Sequence, residues 1–342
     1  MRKLNALLLM AVMLAPSWAA AADKVYPKNG VPASGKIKSI SRTEVVITAR
    51  GKDQKFAIGD ILKVAFDGEP SGLERARDQY LNGQYDQALE EIKKLGAEDA
   101  NSEQVRQDIV FYRWYCEGKQ GMVGQGDVNK AIAGLSQLAS KNANSHHMLE
   151  ISAALGELNM SIGKPDEAIR YYAFLARATD PALQLQGKYQ LGMADLAKDD
   201  VAGAKAKLEQ VSKQKTNSPE EARFANLAKV GVAICLQREG DVKTALSQLN
   251  ALAKKLDNTD HDLFGRVINA RGQCYKATGN TKFALQDFLM TDLMFFTAAE
   301  PHAEALYELQ SLWQSEGNPI AAAAAKKKLT TQYASSVWAS KP

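Results

Sequence analysis

GKPDEAIRYY, residues 163–172, opens on a glycine and reaches an alanine five residues later. The same step recurs as GQYDQA from Gly83, GDVNKA from Gly126, GDVKTA from Gly240, GNTKFA from Gly279 and GNPIAA from Gly317. A further copy, DDVAGA, has Asp199 in the glycine's place. The alanines are Ala88, Ala131, Ala168, Ala204, Ala245, Ala284 and Ala322, spaced 43, 37, 36, 41, 39 and 38 residues apart. A period this steady over seven units predicts a stacked array of supersecondary units in which each covers its neighbour, rather than one globular core.

The glycine closes one helix in a left-handed cap, and a second helix begins within a few residues. Asp tolerates left-handed backbone better than most residues, so Asp199 can hold the fourth turn. The alanine falls where the two helices cross, and a small side chain there lets their axes approach. Twelve residues before it stand Ala76, Gly156, Gly192, Ala233 and Gly272, in five of the seven units. A glycine inside a helix costs about 1 kcal/mol against alanine, so a second small residue facing the alanine is the expected reason for it. Four residues after the alanines come Ile92, Leu135, Tyr172, Leu208, Leu249 and Phe288, the stripe that the next pair should cover. Helix starts are marked by the capping boxes Ser218-Pro219-Glu220-Glu221 and Ser71 with Glu74, and by Asp180-Pro181.

Paired helices with a small residue, then Gly and Ala at these offsets, resemble the tetratricopeptide repeat (TPR) family. The resemblance runs from Ser71 to Trp338 and is most specific in LGELNMSIGKPDEAIRYY (155–172) and ARGQCYKATGNTKFALQDF (270–288). The period averages 39 residues, against about 34 for that family. Unit two departs most, with Lys119 in the small-residue slot and a longer turn, EGKQGMVGQGD. Gln310 holds the slot in the last unit, as suits a terminal cap. The resemblance implies a non-enzymatic interaction scaffold whose first helices line a concave face. Carried over position by position, that face would include Glu157, Tyr189, Met193, Gln237, Arg266, Asn269, Gln273 and Lys276 as partner-binding residues. The last four are polar and basic, and suit a peptide carboxylate or backbone.

Before the repeats the pattern changes. GKIKSIS, EVVITAR, QKFAIGD and ILKVAFDG alternate apolar with polar residues, which predicts four short strands between Gly35 and Phe66. This stretch is similar to small SH3-like or Sm-like barrels, and its short core should lean on the first helix pair. The chain thus divides into a small β domain at 23–69 and a TPR-like helical domain at 70–342. The expected fold class is mainly α: an α-solenoid of about seven helix pairs behind a small SH3/Sm-like β segment. Exported proteins of this layout look like bacterial envelope proteins.

Residues 1–22 read as an export signal: Arg2 and Lys3, an apolar stretch from Leu4 to Leu14, then Ala20-Ala21-Ala22 before a cut at Asp23. That stretch is well short of the ~20 residues a bilayer requires, so the expected location is the periplasm or the exterior, without stable membrane insertion. Net charge is +4 for the whole chain. It falls to +2 without Arg2 and Lys3, too near neutral to argue for nucleic acid.

Motifs for chemistry are scarce. The chain lacks GxxxxGK[ST] and GxSxG. GMVGQG (121–126) reads as a turn extension, and no cofactor or catalytic residue is expected. His146-His147 with Glu150 lacks the HExxH spacing, and neighbouring histidines on a helix diverge, so no metal is expected there. His261, among Asp257, Asp260 and Asp262, reads as part of a solvated link. Cys235 and Cys274 occupy equivalent positions of consecutive units, as two small buried side chains would, although an oxidising compartment also permits a bridge. In IVFYRWYC (109–116), Ile109, Tyr112 and Cys116 share a core face. Phe111, Trp114 and Tyr115 lie off it, packed on the β segment or unit one, or offered to a partner. Tyr333 and Trp338 in YASSVWASKP could anchor the last unit or dock elsewhere. The alternative function is a cell-wall-active enzyme or glycan-binding protein whose carboxylates assemble across units.

Overall fold

The computed structural model describes residues 22–341, so the expected export signal lies outside the described residues but for Ala22. A five-stranded antiparallel sheet comes first, built from β1 (Asp23–Pro27), β2 (Ala33–Ile40), β3 (Glu44–Ala49), β4 (Lys52–Ala57) and β5 (Ile61–Ala65). Its order is β4-β3-β2-β1-β5. Four strands were expected, and β1 is the addition. In DKVYP only Val25 is fully buried, so there is no alternation to read, yet β1 pairs with both β2 and β5. Val25, Val45, Ile47, Val64 and Phe66 join Leu73 and Ala76 of the first helix in one core, so the sheet does lean on the first pair.

Seven helix pairs follow. They are α1 (Ser71–Leu81) with α2 (Tyr85–Lys93), α3 (Glu103–Met122) with α4 (Val128–Lys141), α5 (Met148–Ser161) with α6 (Pro165–Leu175), and α7 (Pro181–Ala197) with α8 (Val201–Ser212). Then come α9 (Pro219–Arg238) with α10 (Val242–Ala253), α11 (His261–Ala277) with α12 (Thr281–Met294), and α13 (Ala299–Ser315) with α14 (Pro319–Gln332). A one-turn helix, α15 (Val337–Ser340), ends the described chain. The whole is a mainly α solenoid, and among the described residues no helix is long and apolar enough to cross a membrane.

Every alanine of the repeat is buried. The turn before it is left-handed at Gly163 (φ 72°) and, with no glycine, at Asp199 (φ 60°). In unit two the left-handed residue is Gly124 rather than Gly126, because the longer turn displaces it. The small residue on the first helix does not face the alanine alone. A Cβ on Gly156 would overlap the ring of Tyr172, one on Gly192 would press Leu208, and one on Gly272 would press Phe288. Each of these is the stripe residue four positions after the alanine, so the slot is cut for that larger side chain. Unit two fills the slot with Gly118 instead of Lys119; its neighbours are Ala131 and Leu158.

Caps follow the sequence in two of three places. Ser218 accepts from Glu221 N, and Glu221 accepts in return from Asn217 N. Asp180 accepts from Leu183 N. The box at Ser71 does not form: α1 starts at Ser71 itself, after Pro70, and the Ser71 hydroxyl accepts from Arg75. The Pro70 carbonyl already takes the first amides.

The array curves until its seventh unit meets the second and third. Ser335 Oγ donates to Gly121 O at 3.1 Å. A side chain on Gly124 would collide with the carbonyl oxygens of Thr331 and Gln332, and Val337 covers Gly163. Val123 packs with Ala303, Leu306, Leu329 and Tyr333. On the sheet side, the Arg42 amide donates to Asn144 and its guanidinium lies 6.0 Å from the Phe174 ring. Gly59 sits against Asp180, so the sheet follows the links between units.

Candidate functional site

Successive first helices pack on one another, and their side chains form a polar ladder along the inner face. At its start Lys119 of α3 donates to both oxygens of Glu157 on α5, at 2.6 and 2.7 Å. Arg223 of α9 holds Asp260 at 2.5 Å and Asp262 at 2.8 Å. Arg266 of α11 joins Asp262 at 2.9 Å to Glu300 of α13 at 2.8 Å. Asn269 donates to Glu304 at 2.9 Å and to Pro301 O at 2.8 Å. Gln273 and Lys276 both reach Glu308, at 2.9 and 2.5 Å.

The predicted residues are therefore distributed unevenly. Arg266, Asn269, Gln273 and Lys276 do stand together, but each already holds an acceptor on α13. The basic and polar set read as open to a peptide carboxylate is supplied with carboxylates by its own chain, and Asn269 is fully buried. Glu157 is on the ladder, paired with Lys119. Tyr189 is not a surface residue: it is buried in the core with Leu185 and Leu196, and Met193 packs against the same cluster. Gln237 is half-buried near the end of α9.

Sequence reasoning missed Glu300, Glu304 and Glu308, although their spacing of four puts them on one helical face. It also placed Asp260 and Asp262 in a solvated link, whereas they hold Arg223. Burial, then the charge of Glu300, raises the Glu304 carboxyl to about 7, so that one acid of the stripe titrates near neutrality.

A second cluster lies where the sheet meets the first three units. Arg77 is fully buried, donating to Glu69 at 2.7 and 2.9 Å and to Asp108 at 2.8 Å. On the other Asp108 oxygen sit His147 Nε2 at 3.0 Å and His146 Nε2 at 3.3 Å. His147 Nδ1 faces Glu150 at 2.7 Å, and Tyr80 donates to Glu150 at 3.1 Å. The two histidines were expected to diverge. They converge because they precede α5 rather than lying within it, and their rings sit 4.0 Å apart.

Burial opposes charge on His147, but Asp108 and Glu150 outweigh it and raise the ring to about 9. Burial and the charge of His147 push His146 down. Burial would raise Asp108, yet His147 and His146 hold it well below the usual carboxylate range. Asp108, His146 and His147 are, among the described residues, a group whose ligand atoms lie within 4.8 Å of one another. A divalent ion there would have to displace the His147 proton beside the Arg77 guanidinium.

The aromatic stretch packs inward. Phe111 stacks on His147 at 3.9 Å, Tyr115 lies 4.9 Å from Tyr80, and Trp114 covers Gly134. Cys116, Cys235 and Cys274 are buried and unbridged. Burial raises the thiols of Cys235 and Cys274 to about 11, which makes both poor nucleophiles.

An array of helix pairs with a polar inner face defines the class to which comparison with solved structures also leads. A tetratricopeptide repeat protein from Parabacteroides merdae matches with a TM-score of 0.52 at 16% identity, over 76% of this chain and 91% of that one. A Rap protein complexed with Competence and Sporulation Factor matches with a TM-score of 0.56 at 13% identity, over 79% of this chain and 76% of that one. At such identities the likeness is one of fold, and the fold is that of tetratricopeptide repeat proteins. No protein-family profile matches the chain, and no curated protein matches it.

Proposed function

We propose that this chain is an exported, non-enzymatic scaffold of the bacterial envelope that takes a peptide or protein partner on its inner face. The observation that carries the reading is the ladder itself. Arg223, Asp262, Arg266 and Glu300 are charged, only partly covered, and aligned across three successive first helices. Such a surface offers an extended chain both donors and acceptors at regular intervals. The Rap protein, of the same fold, was solved in complex with a factor, which supports the reading by analogy of fold alone. Export rests on the leader, and its cleavage before Asp23 is checked by N-terminal sequencing of the mature protein.

The direct test places a photo-crosslinking amino acid at Gln237, inside, or at Phe283, outside, in cells. A discrete adduct from Gln237 and none from Phe283 is the expected result; equal labelling from both removes the inner face as the site.

One observation favours a second reading, a cell-wall-active enzyme or glycan-binding protein. Glu304, raised to about 7 beside Glu300 and Glu308, has the protonation of a general acid. If that reading holds, Glu304→Gln abolishes a peptidoglycan-degrading activity that the parent chain shows; a parent chain without activity on peptidoglycan disposes of it.

A further inference from the structure

The inner face of α13 is already in contact with another part of the chain. Trp338 Nε1 donates to Glu300 Oε1 at 3.2 Å, and the indole lies 5.7 Å from the Tyr307 ring. Lys341 Nζ sits 3.5 Å from the Trp338 ring centroid and 5.5 Å from that of Tyr307. Burial lowers its ammonium pKa, against the opposing pull of the carboxylates of Glu304, Glu308 and Glu300. The three carboxylates of α13 stand beside two cations of α11, Arg266 and Lys276.

The segment bearing Trp338 and Lys341 lies on the surface of the fold. Tyr333 is buried, and its hydroxyl lies 2.6 Å from His302 Nδ1. After it no residue from Ala334 to Lys341 is buried, and α15 is a single turn. Trp338 and Ala339 rest half-buried on the cluster of Ala303, Leu306, Leu329 and Tyr333, so lifting the segment would uncover one side of that cluster while Tyr333 stayed in place as the anchor.

We propose that the inner face of α13, with Glu300 and Tyr307 as its contacts, is a binding site for a peptide segment bearing an aromatic and a basic side chain, and that residues 337–341 are its built-in occupant. The proposal rests on the peptide-binding reading above and names the chemistry of the peptide. Trp338 supplies the aromatic face with its N–H to a carboxylate, and Lys341 supplies the charge. A tether this short gives an effective concentration on the order of millimolar. Weak ligands are therefore kept out, and a partner enters by matching both groups and displacing the segment.

The test uses the full mature chain and a fluorescein-labelled peptide of residues 334–342, ASSVWASKP, read by anisotropy. The Trp338→Ala/Lys341→Ala chain, with its occupant disabled, is expected to bind the peptide at least about tenfold more tightly than the parent. Adding Glu300→Gln and Glu304→Gln to that chain should abolish binding, and so should an alanine in place of the peptide's own tryptophan. Circular dichroism establishes that each variant keeps its helices. Equal binding to parent and variant, no binding to a folded variant, or binding indifferent to the two glutamines overturns the proposal. If this peptide fails while the crosslinker at Gln237 still captures a partner, the occupant alone is lost; if both fail, the scaffold reading goes with it.

Discussion

At the residue scale the stability of the array turns on places where a side chain is missing. Gly156 leaves room for the Tyr172 ring, and an added Cβ would overlap it. Helix propensity favours alanine by about 1 kcal/mol, but overpacking a filled site costs about 1–3 kcal/mol. Gly156→Ala should therefore be neutral to destabilising, and Gly156→Val destabilising by about 2 kcal/mol or more in urea denaturation. Gly156→Val combined with Tyr172→Ala should recover part of the loss, because the two sites are in contact. The glycine was legible in the sequence as a close approach; the partner that fills it was not, since spacing gives the face of a helix and not the reach of a rotamer.

Asp108 is the residue on which the buried charges converge. Asp108→Asn leaves Arg77 and His147 facing a neutral amide, and breaking a buried pair in this way costs about 3–5 kcal/mol. The histidines give opposite pH dependence. His147 is raised to about 9 in the fold from 6.5, so its contribution is complete below pH 6.5 and is lost as pH rises through 9. His146 is depressed, so the folded state loses stability as pH falls below 6.5. Asp108 and Glu150, both lowered, contribute above their unfolded values and lose that contribution only in stronger acid. Melting temperature against pH should show both flanks, and Asp108→Asn should remove the alkaline one. Nothing in the linear sequence joins Arg77, Asp108 and His147, which lie 31 and 39 residues apart.

At the scale of elements, the pairs were legible through three recurring marks: a tight turn before the alanine in every unit, a small crossing residue in five of the seven, and an apolar stripe residue in six. The misses have local causes. β1 has one inward residue and a proline, too little for a period of two to register. α1 lost its expected cap because Pro70 fixed the backbone one residue early. Ser218 is a cap that did form, and Ser218→Ala should lower stability by about 1 kcal/mol, measured by thermal melting. Of the residues assigned to the inner face by the resemblance, Arg266, Asn269, Gln273 and Lys276 stand together, while Tyr189 lies in the core. The acids that neutralise Arg266 and Lys276 belong to α13, whose Glu300, Glu304 and Glu308 the sequence reading did not single out.

The whole molecule closes on itself through the GMVGQG turn, which the sequence marked as an extension without a purpose. Val123 belongs to the cluster that receives Leu306, Leu329 and Tyr333. Val123→Asp would put a charge there at the C-cap of α3, outside the helix itself. The expected result is a larger radius of gyration in solution scattering, with faster hydrogen exchange over residues 331–341 and unchanged helical dichroism. Unchanged dimensions would mean that the closure does not depend on this contact.

The hydrogen bond from Ser335 to Gly121 spans 214 positions of the chain. During synthesis, the early units emerge and pack long before residue 335 exists. For that interval units two and three lack the contacts that the seventh unit later makes with them, at Gly121, Gly124 and Gly163. A partner meeting the nascent chain would need no displacement step, whereas one arriving after completion would.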